Sequence, residues 1–322
     1  MKKQIDPAET DFAKEVRKGL TDYPKHLSSK YIYDEKGDKL FQEIMDLPDY
    51  YLTASEFNIL KKNTQAIAEL FNGPDGFDLI ELGAGDGKKT KILLRHLCEN
   101  RFNFTYMPVD ISKYALKDLE ISLKKELPAL LVKPKQGTYF KTMANLDKTS
   151  SRKKVIFMLG SNIGNLLHPQ AVSFLKQIRV SMKKDDLLFM GFDLKKNPET
   201  ILAAYNDKTG VTASFNKNIL NRINRELGGN FDVETFKHWE TYNPETGTAK
   251  SFLVSKIEQK ARIDVLDMNV SFHPWESIHT EISQKYDDAT VQWLAEKADL
   301  KIQKTFLDEK KYFKDFVFGI KQ

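Results

Sequence analysis

Three glycines within five residues, Gly83-Ala84-Gly85-Asp86-Gly87, follow the apolar run Leu79-Ile80-Glu81-Leu82. A turn of that composition lets the backbone take positive φ and approach a ligand closely. The dinucleotide fingerprint G-x-G-x-x-G is not met, because the third glycine comes one residue early and Lys88 stands where it should fall. A pyrophosphate also wants bare amides at a helix N-terminus, whereas Asp86 puts a carboxylate inside the turn and Glu81 another just before it. That charge pattern suits a cationic ligand with a ribose, such as the sulfonium of S-adenosylmethionine (SAM). Asp110, at the end of the alternating run Phe102-Asn103-Phe104-Thr105-Tyr106-Met107-Pro108-Val109, is the candidate ribose acceptor, since doubly wound folds place an acid some way past the glycine turn for that purpose. The competing reading is that Asp110-Ile111-Ser112 caps the helix expected over 113–126.

Two further polar stretches have the composition of a substrate site. Gly160-Ser161-Asn162-Ile163-Gly164-Asn165 follows the apolar run 155–159 and is expected on the same sheet edge as Gly83 and Asp110. The Asn165 amide can donate to a carboxylate and accept from an amine, which suits an amino acid; equally, Asn162 and Asn165 can serve the local turn. In Glu281-Ile282-Ser283, residues two apart on a strand face the same way, so Glu281 and Ser283 can share one polar ligand while Ile282 turns to the core. Taken alone, that pattern also fits an exposed polar strand face. The six histidines offer no close ligand pair, His273 and His279 being six apart, and no metal is expected.

The elements that must carry these residues alternate strand and helix. Residues 78–82 predict a buried strand and 90–97 the helix after it. A helix is expected from Thr53, with Thr53-Ala54-Ser55-Glu56 as capping box and Leu52 with Phe57 as hydrophobic staple, ended by Gly73-Pro74. Strands are expected over 155–159 and 186–193, with a helix over 171–182. The rhythm breaks over about 197–286, where a polar helical run at 213–227 precedes alternating segments near 252–254 and 263–270. The tail, 300–306 and 312–320, reads as a hairpin returning to the sheet. The expectation is an α/β, doubly wound, Rossmann-like sheet with a second, discontinuous domain. Its parts are 1–62 and 197–286 for the second domain, 63–196 for the sheet core, and 287–322 for the returning strands.

Bulk properties bound the function. A chain of 322 residues, 41% hydrophobic, supports one large domain or two interleaved ones. Its net charge of +5 comes from 50 basic and 45 acidic residues mixed in short pairs such as Lys153-Lys154 and Lys310-Lys311, which reads as solvated faces and not as a nucleic-acid surface. Cys98 is the only cysteine, so no intrachain disulfide forms and a reducing compartment is expected. The start, Met1-Lys2-Lys3-Gln4-Ile5-Asp6-Pro7, lacks a signal-like apolar core, and no run approaches the roughly 20 residues of a membrane span. The expectation is a cytoplasmic monomer with no membrane or nucleic-acid partner.

Several ordered stretches together resemble one family: Tyr31-Ile32-Tyr33-Asp34-Glu35-Lys36-Gly37, Leu47-Pro48-Asp49-Tyr50-Tyr51-Leu52-Thr53, the Gly83 turn, Gly160-Ser161-Asn162-Ile163-Gly164-Asn165-Leu166, Ala204-Tyr205-Asn206-Asp207, Gly210-Val211-Thr212-Ala213-Ser214-Phe215-Asn216, Ile223-Asn224-Arg225-Glu226-Leu227-Gly228 and Thr280-Glu281-Ile282-Ser283. The chain is similar to the SAM-dependent histidine-specific methyltransferases, the L-histidine Nα-methyltransferases of ergothioneine biosynthesis that make hercynine. The resemblance spans nearly the whole chain. It implies that Gly83, Ala84, Gly85, Lys89 and Asp110 hold SAM. It implies further that Tyr50, Asn165 and Tyr205 bind the substrate carboxylate, that Tyr33 lies near the α-amine, and that Glu281 and Ser283 bond the imidazole. Tyr33 and Asn165 are the residues it brings to the reacting nitrogen.

Two positions depart from the family pattern. Where the family carries Gly-Asp-Phe, this chain has Gly137-Thr138-Tyr139, so Thr138 and Tyr139 stand at the adenine end. Where it often carries a methionine beside the substrate ring, this chain has Ser251. The expected reaction is three successive methyl transfers to the α-amine of L-histidine. The alternatives are N-methylation of another aromatic amino acid such as tryptophan, and a SAM-binding protein without turnover.

Overall fold

The computed structural model describes residues 6–137, 139, 140, 142 and 152–321. The described helices, in chain order, are α1 (Asp11–Thr21), α2 (Glu35–Met45), α3 (Tyr51–Phe71), α4 (Thr90–Glu99), α5 (Lys113–Glu126), α6 (His168–Val180), α7 (Pro198–Tyr205), α8 (Val211–Leu227) and α9 (Asp288–Lys297). The strands are β1 (Phe77–Leu82), β2 (Phe104–Asp110), β3 (Lys135–Gln136), β4 (Lys153–Met158), β5 (Leu187–Asp193) and β6 (Phe236–Asn243). They continue with β7 (Thr248–Ser255), β8 (Gln259–Ile263), β9 (Met268–Phe272), β10 (Ser277–Gln284), β11 (Leu300–Leu307) and β12 (Phe313–Ile320). Two compact units result: Tyr51–Lys196 with Gln284–Gln322, and Met1–Tyr50 with Asn197–Ser283.

The first unit holds a seven-stranded sheet in the order β11-β12-β5-β4-β1-β2-β3. Strands β3, β2, β1, β4 and β5 are parallel, and β12 runs antiparallel between β5 and β11. All six residues of β1 are buried, as a central parallel strand covered on both faces requires. Its end is level with that of β2, Leu82 pairing with Val109, so Gly83 and Asp110 leave the sheet side by side at its carboxyl edge. One face of the sheet packs Ile80, Leu82, Val109, Ile156, Met190 and Phe192 with Phe174 and Ile178 of α6 and Leu294 of α9. The other meets Phe71 of α3, whose ring stands edge-on to Phe77 (5.9 Å), Phe157 (5.5 Å) and Phe189 (6.2 Å). The fold is the doubly wound, Rossmann-like α/β architecture expected, with the discontinuous second unit.

Packing moves the expected boundaries. Helix α3 belongs whole to the sheet unit from Tyr51, so the first boundary falls before 51 and not after 62: its buried stripe Leu52, Glu56, Ile59, Leu60, Ile67 and Phe71 recurs at helical spacing along its full length. At the other end the sheet unit resumes at Gln284 and not after 286, because Tyr286 is fully buried against Phe192, donates from Oη to Ile163 O (3.1 Å) and gives its N–H to Asp193 O (2.9 Å). The C-terminal part contains helix α9 besides its hairpin; Asp287 caps it, accepting from Thr290 N at 2.8 Å. The hairpin itself is as expected, β11 pairing antiparallel with β12.

The second unit joins α1, α2 and α8 to a three-stranded sheet, β10-β7-β6, and a two-stranded ladder, β8-β9. Helix α8 lies between two left-handed glycines, Gly210 (φ 79°) and Gly228 (φ 64°), and buries Phe215, Ile219, Leu220, Ile223 and Leu227. Those side chains share a core with Phe12, Val16, Phe236, Leu253 and Phe272. The segment expected as one strand over 263–270 is broken at Asp264–Leu266, where Asp267 takes φ 45°. Strand β6 was not expected because its inward positions after Phe236 are His238 and Glu240, so the buried face lacks the apolar alternation that marks a strand.

Candidate active site

The glycine turn takes the conformation its composition predicts, Gly83, Gly85 and Gly87 having φ of 75°, 52° and 66°. The three glycines serve two different ends. A Cβ at Gly83 would lie 2.8 Å from Tyr139 Oη, and one at Gly87 would lie 2.5 Å from Leu119 Cδ1, so both are held small by close neighbours. A Cβ at Gly85 would meet nothing within 4 Å, which leaves that backbone open to a ligand. Gly85 N–H donates to Asp110 Oδ2 (3.2 Å), and Ser112 N–H donates to Oδ1 (2.8 Å). Ser112, not Asp110, caps α5, its Oγ accepting from Ala115 N at 3.2 Å. Asp110 is thereby fixed against the glycine turn with lone pairs to spare, as a ribose acceptor must be, and burial raises its pKa. Open backbone, oriented carboxylate and Lys89 in one edge fit the nucleoside and amino-acid ends of SAM.

Glu81 does not join Asp86 in facing the turn. It is buried in the sheet, accepting from Thr90 Oγ1 (2.5 Å) and from Tyr106 Oη, and burial pushes its pKa up to about 7. The exposed acid of the turn is Asp86, which accepts from Lys88 N at 2.9 Å. Tyr139 stands over Gly83, with its ring edge-on to Phe174 at 6.2 Å. Thr138, the other residue expected at the adenine end, lies outside the described residues.

The capping box expected at Thr53 does not form, because α3 starts at Tyr51 and Glu56 is needed elsewhere. Glu56 is fully buried, accepts the Gly160 N–H on both oxygens (3.0 and 2.8 Å) and pairs with Lys89. It therefore ties the β4 loop to the lysine after the glycine turn. The signal was present: Leu52, Glu56, Ile59 and Leu60 are spaced three and four apart, which places an acid on the apolar stripe. In the β4 loop, Ser161 takes φ 56° and Asn162 Nδ2 donates to Leu159 O at 2.9 Å. Asn165 ends the turn Asn162–Asn165, is exposed, and leaves the capping of α6 to Leu167, whose N–H donates to Gln170 Oε1 at 3.0 Å.

In the second unit, residues drawn from four separate motifs meet in one aromatic cluster. Tyr33 lies edge-on to Phe41 (5.6 Å) and Phe215 (5.3 Å), Phe41 to Tyr50 (6.3 Å), and Tyr50 to Tyr205 (6.2 Å). Tyr205 Oη then lies 2.7 Å from Ser283 Oγ. Phe41 lies outside the stretches that carry the resemblance, and Phe215, within one of them, was given no role, since an aromatic on an amphipathic helix reads as core. The turn bearing Tyr33 is held by α8: Asn218 Nδ2 donates to Ile32 O (3.0 Å) and Asp34 Oδ1 (2.8 Å), and Arg222 donates to Tyr31 O (3.1 Å). Burial works to raise the Asp34 carboxyl, but donors from Gly37, Asn218 and Arg225 outweigh it and hold the pKa below the usual range. Tyr205 closes α7 just ahead of Asp207, which accepts from Val211 N (3.1 Å) and Thr212 N (2.8 Å) at the start of α8.

Glu281 and Ser283 share a face of β10, opposite the buried Ile278, Thr280 and Gln284. Ile282 is only half-buried, so the turn to the core expected of it is partial. Ser251 is buried, donates to Glu240 Oε2 (2.6 Å) and accepts at its carbonyl from Thr280 Oγ1 (3.2 Å). At the position where the resemblance implies a methionine, this chain thus carries a serine held by a buried acid. Among the described residues, no group of three or more His, Cys, Asp or Glu side chains could hold a metal, and no helix is long and apolar enough to cross a membrane.

Comparison with known proteins bears on this geometry. Residues 12–319 match the family described as histidine-specific methyltransferase, SAM-dependent. The chain is 32% identical over 300 residues to a histidine N-alpha-methyltransferase of Mycolicibacterium smegmatis (strain ATCC 700084 / mc(2)155), covering 93% of this chain and 91% of that protein. It is 33% identical over 273 residues to one of Mycobacterium tuberculosis (strain CDC 1551 / Oshkosh), covering 85% and 84%. It is also 33% identical over 293 residues to ergothioneine biosynthesis protein 1 of Schizosaccharomyces pombe (strain 972 / ATCC 24843), covering 86% of this chain and 36% of that longer protein.

Proposed function

We propose that this chain, which belongs to the SAM-dependent histidine-specific methyltransferase family, moves methyl groups from SAM to the α-amine of L-histidine, three in succession, to give hercynine. The observation that carries the substrate side is the joining of Tyr33, Tyr50, Tyr205 and Ser283 in one cluster within one unit. SAM supplies an electrophilic methyl on a cationic sulfur. The chain's residues do the rest by orientation, since in-line displacement by an amine needs alignment and a neutral nitrogen more than a strong base. Amino-terminal amines have a reference pKa of about 8, and the carboxylate of a free amino acid raises it further, so a neutral fraction is available at mildly basic pH.

In this reading Gly83, Ala84, Gly85, Lys89, Asp110 and Tyr139 hold the donor. Tyr50 and Tyr205 take the substrate carboxylate, Glu281 and Ser283 the imidazole, and Tyr33 faces the amine. Asn165 is assigned to the substrate's polar head on the family resemblance alone. As methyl groups accumulate the head becomes a fixed cation, and the aromatic faces of Tyr33 and its neighbours attract it by about 0.5–2 kcal/mol. The product belongs to ergothioneine synthesis, and the chain works as a cytoplasmic, single-chain catalyst.

Mass spectrometry of the purified protein incubated with SAM and L-histidine tests the reading. Mono-, di- and trimethylated histidine are expected in sequence, and an absence of methylated histidine under multiple-turnover conditions would falsify it. Histidine is preferred to tryptophan because the two relatives matched at 32% and 33% identity over most of their length are both named for histidine, whereas an L-tryptophan methyltransferase matches at 26%.

A further inference from the structure

Glu56 binds two loops at once, and what lies behind it is a second buried acid. Asp315 on β12 is fully buried, and among the described residues neither of its oxygens has a hydrogen-bond donor. It pairs across the sheet with Gly191 of β5. A Cβ at Gly191 would lie 2.1 Å from Glu56 Oε1, so the missing side chain is what lets the Glu56 carboxyl reach in beside Asp315. Two adjoining buried carboxyl groups cannot both ionise, because each would meet the other's charge with little solvent to screen it. Glu56, which already accepts from Gly160 N–H and Lys89, has the surroundings of the ionised member. Asp315, with no donor of its own, has the surroundings of the protonated one.

We propose that Glu56 and Asp315 share one proton and act together as a positioning pair for the donor site, so that the Gly160 loop and Lys89 stay on one carboxylate only while that proton is held. The proposal rests on the donor reading above and deepens it. The charged groups facing the pair are Lys89 from the turn before α4, Asp308 from the turn before β12, and Glu81 of β1, which feels both Glu56 and Lys89. Burial, then the charge of Glu56, raise the Asp315 pKa well above its ordinary value. Loss of the proton would put two negative charges against one ammonium. Lys89 would then be drawn onto the pair, away from the donor, and the carboxylates would part.

The linkage sign follows. An acid whose pKa is raised in the folded protein is protonated there and ionised in the unfolded chain, so stability and donor affinity both fall as pH rises through the pair's titration. Asp315→Asn keeps a hydrogen-bond donor toward Glu56 but cannot titrate. Calorimetric binding of S-adenosylhomocysteine across about pH 6.5 to 9.5 reads this directly. Wild type is expected to lose affinity by up to about tenfold per pH unit above the pair's pKa, with Asp315→Asn flat within about twofold. Carbon-13 carboxyl NMR of the ligand-free wild type supplies an independent reading, expected to show Asp315 as a protonated acid at neutral pH. Wild-type affinity independent of pH, a variant that keeps the wild-type slope, or an Asp315 resonance of an ionised carboxylate at neutral pH overturns the proposal. Failure to bind S-adenosylhomocysteine at any pH overturns the donor reading itself, and this inference with it.

Discussion

Tyr205 Oη and Ser283 Oγ stand 2.7 Å apart, joining the end of α7 to a strand 78 residues later in the chain. The contact connects the tyrosine proposed for the substrate carboxylate to the serine proposed for its ring. Both ends of an amino acid would therefore sense the loss of either hydroxyl.

Tyr205→Phe keeps the ring against Tyr50 and removes the hydroxyl. One hydrogen bond is worth about 0.5–1.5 kcal/mol net. Steady-state kinetics should show kcat/KM for histidine reduced by roughly 2- to 12-fold, that range converted at about 1.4 kcal/mol per decade, with SAM affinity unchanged.

Glu281 is the residue that separates histidine from other aromatic amino acids in the proposed site. Loss of a hydrogen bond to a charged partner costs about 1.5–3 kcal/mol. Glu281→Ala should raise the histidine Kd by roughly ten- to a hundredfold in calorimetry, with the smaller change for binding of tryptophan. Undiminished histidine affinity would remove the imidazole assignment.

Asp110 holds Gly85 through one oxygen and Ser112 through the other. Its burial-raised pKa means that acid reaches it early: as pH falls through that value the carboxyl gains a proton and loses an acceptor site. S-adenosylhomocysteine affinity should decline on the acid side, and Asp110→Asn should weaken binding by about tenfold at neutral pH while removing that acid limb.

A cluster within the sheet unit gives a stability prediction. Asp193 accepts from Tyr51 Oη (3.0 and 2.9 Å), from Lys285 (2.7 Å) and from Lys196. Tyr51, Lys196 and Lys285 lie at or next to the three points where the chain passes from one unit to the other. Two ammonium groups share one buried carboxylate, and burial lowers the Lys196 pKa from 10.5 to about 8. Asp193→Asn strands both lysines and should cost about 3–5 kcal/mol in urea unfolding.

Lys196→Met leaves Asp193 with Lys285 and should cost less than about 1.5 kcal/mol. The unfolded chain binds the Lys196 proton more tightly than the folded protein, so wild-type stability should rise relative to this variant as pH increases from about 8 toward 10.5. A wild-type advantage that shrinks over that range would refute the assignment.

Much of this was readable in the chain before it folded. Helix α5 was expected over 113–126 and spans Lys113–Glu126, because its cap Ser112 and its leucine spacing are local. Strands β1, β4 and β5 announced themselves as short apolar runs and β2 as an alternating one, while the two exposed residues of β3, Lys135–Gln136, gave no such signal; the glycine turn was marked by a composition that few other structures tolerate. Tyr33, Tyr50, Tyr205 and Ser283 were named through ordered motifs, and packing joins them through Phe41 and Phe215, which the motifs left without a role.

What the sequence could not decide is where buried charges turn for company. Glu56 and Gly160 are 104 residues apart, and Tyr51 and Asp193 are 142 apart. Locally Glu56 matches a helix cap, and Glu81 an acid beside a ligand. Burial makes an unmatched carboxylate costly, so each turns to whatever donor the folded core presents: Gly160 and Lys89 for the first, Thr90 and Tyr106 for the second. Local sequence determined the glycine turn and most of the elements around it; only the packed sheet decided which acids face a ligand and which face one another.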